Sequence, residues 1–286
     1  MIETASIDWN REWQSQMALW QDTAGKSCRE FWADEDSARV YSEKYGKHHL
    51  KRIQDTIGQL PLEPHTRVLD IGAGPGNLAL PMAAQARSVT TVEPSAGMNR
   101  VMTSDMALHD TDNIIQVEKS WEEIDPDLDL EPPYDLVLAS MSLGMTDIRA
   151  AIEKMNRVCS GRVVLFWHAG IPEWEKMPRA LWPQFFNKDY HGGPKSDVLF
   201  QVLYQMGIYP DIRVHAHHFT EVFPTLDDAL AFYHKRFTRL EARHDKALAA
   251  FLETHCKKTD QGWVHQFEHK SMKFSWAVKE AFRETA

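Results

Sequence analysis

The stretch Val68-Leu69-Asp70-Ile71-Gly72-Ala73-Gly74-Pro75-Gly76-Asn77 carries the most specific chemistry in the chain. An apolar run ends in a carboxylate, three glycines follow at alternate positions, and a helical pattern begins at about residue 77. A strand, a glycine turn and a helix in that order bring backbone close to a ligand, because glycine has no Cβ to hold the ligand away. The spacing discriminates between ligands. A dinucleotide fingerprint reads G-x-G-x-x-G. Here the pattern is G-x-G-x-G, with Asn77 where the last glycine of that fingerprint would stand and Pro75 inside the turn. Both features speak against a nicotinamide-dependent oxidoreductase.

Further segments follow in a consistent order. Ser88-Val89-Thr90-Thr91-Val92-Glu93 is a strand-like run with a terminal acid, and Tyr134-Asp135-Leu136-Val137-Leu138-Ala139 and Gly161-Arg162-Val163-Val164-Leu165-Phe166 are two more strand-like runs. With the glycine turn, these segments resemble the class I S-adenosylmethionine-dependent methyltransferases over roughly residues 67–167, about a third of the chain. The resemblance implies S-adenosylmethionine as cofactor. Backbone N–H groups of Gly72, Ala73, Gly74, Gly76 and Asn77 would meet the methionine carboxylate at a helix N-terminus. Asp70 would answer the ammonium, directly or through water. Glu93, followed by Pro94, would accept hydrogen bonds from both ribose hydroxyls, and Met98 would flank the adenine. An acid commonly serves the adenine amino group after the third strand. Here that region reads Glu118-Lys119-Ser120-Trp121, so Ser120 stands in the acid's place and Trp121 either stacks or packs. Ala139 and Ser140 close the set at the end of the fourth strand.

Methyl transfer is an in-line displacement at carbon, and alignment of the nucleophile supplies much of its rate. A thiol, phenol or hydroxyl acceptor also needs a base, whereas a free amine does not. The base candidates are Tyr45, His168 and His191, the last within His191-Gly192-Gly193-Pro194. Each histidine has a structural role as its alternative. Glu131-Pro132-Pro133-Tyr134 imitates the Asn/Asp-Pro-Pro-Tyr box of amino-methylating enzymes, but it precedes the fourth strand instead of following it, and is read as accidental. His215 and His217 share a strand face with no third ligand evident, so no metal is expected.

These residues need a scaffold that converges them. From Arg67 onward, short β-rich runs alternate with helical ones. Strands are expected at about 67–71, 88–92, 113–117, 134–139 and 162–167, and helices at about 77–87, 96–109 and 147–159. Such alternation predicts a doubly wound α/β fold on a mostly parallel sheet, seven-stranded and Rossmann-like by the resemblance. Ligands in these sheets bind beyond the carboxyl ends of the strands, where Asp70, Glu93 and Ala139 to Ser142 fall. Upstream, Trp9, Trp13 and Trp20 lie within about 40° on a helical wheel and form an apolar stripe with Met17. That stripe reads as a docked helix, or as one lending indoles to a pocket. A second helical stretch, about 34–60, aligns Tyr41, Tyr45, His48 and Arg52. The resemblance implies that Tyr41 or Tyr45 closes over the cofactor. Downstream, 171–197 reads as an aromatic-rich inserted cap. Helices at about 196–207, 225–236 and 241–255 and strands at about 211–219 and 263–278 complete the fold. The expected organisation is a helical cap (1–60), a cofactor-binding α/β core (61–170), and a cap insertion that completes the sheet (171–286) within the same domain.

Bulk properties narrow the partners. The 286 residues are 43% hydrophobic and 10% aromatic, as in a globular protein. No segment approaches the ~20 apolar residues of a membrane span. The N-terminal residues lack a secretory pattern, and Cys28, Cys159 and Cys256 are few and far apart, which suits a reducing cytoplasmic setting. A net charge of −9 argues against a nucleic-acid substrate. The expected partner is a small-molecule methyl acceptor, the expected state a monomer or homodimer. The rival readings are a methyltransferase of RNA or protein and a non-catalytic cofactor-binding module.

Overall fold

The computed structural model describes residues 7–24, 38–39 and 50–278. Its centre is one twisted sheet in the order β3-β2-β1-β4-β5-β8-β6. The five parallel strands are β1 (Arg67–Ile71), β2 (Ser88–Val92), β3 (Ile114–Val117), β4 (Tyr134–Ser140) and β5 (Cys159–His168). β8 (Gly262–Ala277) runs antiparallel between β5 and β6 (Asp211–Phe223). The expected seven strands are present, and a three-residue strand, β7 (Lys257–Thr259), pairs with the start of β8.

Alternation along the strands builds two cores. Leu69, Ile71, Val137, Leu165 and Trp167 face one layer, which holds α1 (Trp9–Ala24), α6 (Ile148–Val158) and α8 (Ser196–Gln205). Val68, Val89, Leu136, Leu138 and Phe166 face the other, with α2 (Leu50–Ile57), α3 (Ala79–Ala83) and α4 (Ala96–Leu108). α5 is the short turn Pro126–Asp129. A third apolar cluster joins α7 (Glu173–Phe186), α9 (Leu226–Arg236) and α10 (Asp245–His255) around Trp182, Tyr233 and Phe237.

The tryptophan stripe of α1 is core, as its docked reading expected. Trp13 is fully buried and donates its indole N–H to the Met145 carbonyl at 2.9 Å. Asp147 ties this helix to the sheet layer. Its carboxylate caps α6 by accepting from Ala150 N, and also accepts from Asn10 Nδ2 and Gln14 Nε2. One acid thus satisfies an orphan helix donor and anchors a second helix.

Three expected elements changed shape. The helix expected over 77–87 is α-helical only over Ala79–Ala83, because residues 77 and 78 belong to the turn. β5 starts three residues before Arg162. Its pairing with β4 shifts register between Tyr134 and Leu136, where Gly161 lies so close to Asp135 that a Cβ would sit 2.2 Å from the carbonyl oxygen. The cap segment contains α7 despite Pro178 and Pro183, since burial of Met177, Leu181 and Trp182 outweighs the lost backbone bonds.

Trp13→Ala should lower unfolding stability by about 3–5 kcal/mol, measured by urea denaturation. The half-buried Trp9→Ala should cost clearly less, and equal costs would contradict docking through Trp13.

Candidate functional site

At the carboxyl ends of β1, β2, β4 and β5 lies a cavity of about 300 Å³. The glycine turn forms its floor. Gly72 (φ +72°) donates its N–H to the Val92 carbonyl at 2.7 Å, and a Cβ there would lie 2.3 Å from Ser142 Cβ. Gly76 (φ +88°) has Met102 in the way at 2.7 Å. These two positions require glycine for the protein's own packing. Gly74 differs: it has φ +58° and lines the cavity, and a Cβ built on it meets nothing within 4 Å. Its bareness serves close approach by a ligand.

Two acids flank the turn. Asp70 is 2% exposed, and its Oδ2 is buried without a hydrogen-bond partner. Burial first, and the charge of Glu93 second, push its pKa up to about 7. Glu93 accepts from Gly74 N and from Ser95 N, each at 2.9 Å. Burial raises its pKa while those two backbone donors hold it down. Ser95 in turn caps α4 by accepting from Met98 N at 3.2 Å. The acid, the turn and the helix that carries Met98 are therefore one hydrogen-bonded unit.

The cavity wall includes Asp70, Gly72, Ala73, Gly74, Asn77, Glu93, Pro94 and Met98, together with Ser120, Trp121 and Ser140. Two expected residues are not on it. Gly76 is turned against Met102, and Ala139 has zero exposure in the core between β1 and β5. Tyr41 and Tyr45 lie outside the described residues. Trp121 is packed, 2% exposed, with its indole N–H on the Ala151 carbonyl at 3.1 Å, and it still borders the cavity. The His168 ring lies against that of its neighbour Trp167, with centroids 4.6 Å apart. It is buried against His269, with Nδ1 and Nε2 3.4 Å apart, and burial drives its pKa well below the ordinary value, so the ring is neutral. It is absent from the wall. His191 is exposed on the loop after α7.

Other wall residues escaped the sequence reading. Glu122 lines the cavity two residues after Ser120, which supplies an acid to that region after all. Arg52 from α2 contributes the one cation among the described wall residues. Trp20, Met141, Met145 and Trp167 form an apolar wall. The loop after α7 holds these indoles: Trp167 donates to the Pro194 carbonyl at 2.8 Å, and Gly193 lies against the Trp20 ring. Trp20 and Arg52 had a sequence signal from their helical stripes, and Met141 had one from its place within residues 139–142 after the fourth strand. Tyr134 of the Pro-Pro-Tyr segment begins β4 at the edge opposite Ser140, away from the cavity. Among the described residues no three His, Cys, Asp or Glu could hold a metal, and no helix is long and apolar enough to cross a membrane.

S-adenosylmethionine brings an ammonium, a sulfonium and a carboxylate. A wall with Asp70, Glu93 and Glu122, one arginine, an orphaned carboxylate oxygen and a bare glycine turn fits that charge pattern. The fold and the cavity define a class I S-adenosylmethionine-dependent methyltransferase domain. Comparison with known proteins agrees. The model of the family described as "Methyltransferase domain" matches residues 44–191, and the chain belongs to that family. An uncharacterized protein of Haemophilus influenzae is 26% identical over 59% of this chain, and the match spans 65% of that protein's length. A crystal structure of a candidate methyltransferase from Bacillus halodurans superposes with a TM-score of 0.57 at 12% identity, covering 80% of this chain and 99% of that one. Phosphoethanolamine N-methyltransferase 2 of Haemonchus contortus, in complex with phosphomonomethylethanolamine and S-adenosylhomocysteine, gives 0.56 at 14% identity over 88% of this chain and 60% of that one. These two likenesses are of fold.

An ammonium bound at Asp70 would link cofactor affinity to pH. The ionised form of Asp70 is the one that binds an ammonium. Affinity should therefore fall about tenfold per pH unit below the pKa of about 7. Titration calorimetry in two buffers near pH 6.5 should register close to one proton released. In the absence of cofactor the sign reverses: a carboxyl raised from 3.8 to about 7 loses folding stability as pH rises through that window. Asp70→Asn should raise the melting temperature at pH 7.5 while abolishing the pH dependence of binding. A variant with lower stability and unchanged pH dependence would refute both statements.

The glycines should separate by assay. Gly74→Ala should leave the melting temperature within a few degrees and weaken S-adenosylmethionine binding at least about tenfold. Gly76→Ala should mainly lower the melting temperature. Glu93→Ala should weaken binding by about 1.5–3 kcal/mol. Unchanged affinity in both Gly74→Ala and Glu93→Ala would place the cofactor elsewhere.

Proposed function

We propose that the protein transfers the methyl group of S-adenosylmethionine to a small-molecule acceptor held against the Trp20–Trp167 end of the cavity. When bound, the cofactor supplies an activated methyl on a sulfonium leaving group. Everything else is positioning. The glycine turn, Asp70 and Glu93 hold the polar end, and Arg52 offers a cation to an anionic group. The observation that carries the small-molecule reading is the apolar wall. Two indoles and two thioethers, Trp20, Trp167, Met141 and Met145, face a cavity whose opposite side is polar. Apolar walls with few fixed polar groups suit a compact ligand, and rigid indoles can align an acceptor and exclude water. Both indoles are braced by the loop at residues 193–194. The net charge of −9 adds a long-range bias against a polyanionic substrate.

Among the described wall residues there is no His, Lys, Tyr or Cys. That inventory favours an acceptor needing no strong base, such as a free amine or a carboxylate. Tyr45 is the remaining candidate for a proton acceptor.

The test presents S-adenosylmethionine with fractionated small-molecule, RNA and protein extracts, and follows S-adenosylhomocysteine release. Turnover is expected with the small-molecule fraction. With the purified acceptor, Trp20→Ala should raise KM several-fold and leave kcat nearly unchanged. Turnover confined to RNA or protein would reverse the acceptor class, and turnover with none of the three would favour a non-catalytic role.

A further inference from the structure

A second cavity, of about 510 Å³, opens at the other edge of the sheet, where β5 and β6 begin. Arg162, Arg213 and Lys273 converge in it, with Asp211, Ser275 and the turn at residues 58–61. Strand register enforces the convergence. Arg213 lies directly across from Lys273 in the β6–β8 pair, and Asp211 directly across from Ser275. Arg162 reaches in from β5, with Nη1 3.3 Å from Asp211 Oδ2 and 3.5 Å from Ser275 Oγ. Lys273 is fixed by donating Nζ to the Gln59 carbonyl at 3.1 Å.

The arrangement is unfavourable for the protein alone. Like charges directly opposite on paired strands destabilise the pair. Among the described residues Asp211 is the only carboxylate in this wall. It is largely exposed and bridges to Arg162, while neither Arg213 nor Lys273 is in an ion pair. Burial, then Arg162, then Arg213 lower the Lys273 pKa, and Asp211 opposes them only in part, so the ammonium sits in a net positive field. An oxyanion between these groups would accept charge-assisted hydrogen bonds from a planar guanidinium fork and a fixed ammonium.

We infer that this cavity is a second binding site, for a small molecule bearing a phosphate or comparable dianionic group. A polyanion fits less well. The cations occupy one concavity instead of a stripe, Asp211 stands in the wall, and the net charge of −9 repels a long phosphate chain. The volume exceeds what a bare phosphate fills and lies within the range of small-molecule pockets. From Arg162 to Trp167 along β5 is roughly 17 Å at ~3.3 Å per residue. The site is therefore separate from the methyl-transfer cavity, and it stands whether or not the acceptor proposed above is correct.

Titration calorimetry with inorganic phosphate and with phenyl phosphate tests the inference on the full chain. Both should bind with one-to-one stoichiometry, phenyl phosphate more tightly. Arg213→Ala and Lys273→Ala should each weaken binding about tenfold, and S-adenosylmethionine affinity should stay unchanged in both. Arg213 is exposed, so its variant remains informative if Lys273→Ala fails to fold. Absence of saturable binding by both probes, or identical titrations for wild type and Arg213→Ala, would overturn the inference. Displacement of phenyl phosphate by a single-stranded RNA oligonucleotide, lost in the same variant, would also overturn it in favour of a nucleic-acid surface.

Discussion

Two carboxylates buried side by side are the constraint on which the site is built. Asp70 ends β1 and Glu93 follows β2, so the parallel β1–β2 pairing brings both acids to one edge of the sheet. Neither has a basic partner there. Glu93 is kept in place by backbone N–H groups of Gly74 and Ser95, while Asp70 keeps an oxygen buried and unsatisfied. Leaving a buried acceptor unsatisfied costs about 1–3 kcal/mol. The cores on both sides of the sheet supply the stability that tolerates this. The arrangement resembles preorganisation for charge: burial first, and the charge of Glu93 second, raise the Asp70 pKa, and a cationic ligand would offset both.

The same Glu93 bonds explain why the site is one unit. The carboxylate grips the glycine turn through Gly74 and the start of α4 through Ser95, and Ser95 caps the helix that carries Met98. A ligand that donates to Glu93 shares its carboxylate oxygens with both of these backbone donors. Cofactor binding and turn geometry are thus coupled through a single side chain. On the other side of the cavity, a second buried carboxylate acts as a brace. Glu175 is paired with Arg179 and Lys195, and Lys195 also donates to the Gly193 carbonyl. Gly193 rests on Trp20, and Pro194 accepts from Trp167. An ion-pair network under α7 is transmitted through three loop residues to two indoles of the cavity wall.

How much of this was legible in the sequence depends on range. The glycine turn, the acids that end β1 and β2, and the alternation of strands and helices are local patterns with specific spacing. The described residues that they nominate for the cofactor line one cavity, apart from Gly76 and Ala139, whose neighbours across the fold decide where they face. The long antiparallel return of β8 was legible as a strand, but its place between β5 and β6 was not. Helix α7 was hidden because two prolines suppress the pattern, and its apolar face has meaning only once α9 and α10 are packed on it. Glu122 and Trp167 were invisible as site residues for a similar reason, and Arg52 was visible only as a member of the stripe with Tyr41, Tyr45 and His48. Each arrives from a different element, and no spacing in the chain announces their meeting.

His168 shows the limit of reasoning from position alone. It follows β5 at the same edge as the cavity, which made it a natural candidate for a base. The packing decides otherwise: Trp167 belongs to the core that holds α1 and lines the cavity, and His168 is not on the cavity wall. It meets His269, Trp174 and Trp167 itself. Burial keeps both imidazoles neutral, with the His269 pKa lowered to about 4. Two neutral rings 3.4 Å apart at their nitrogens can share one proton as donor and acceptor, which satisfies polar groups inside a packed layer. The pair therefore braces the β5–β8 junction behind the apolar wall. The cavity obtains its shape from such supports and its charge from Asp70 and Glu93.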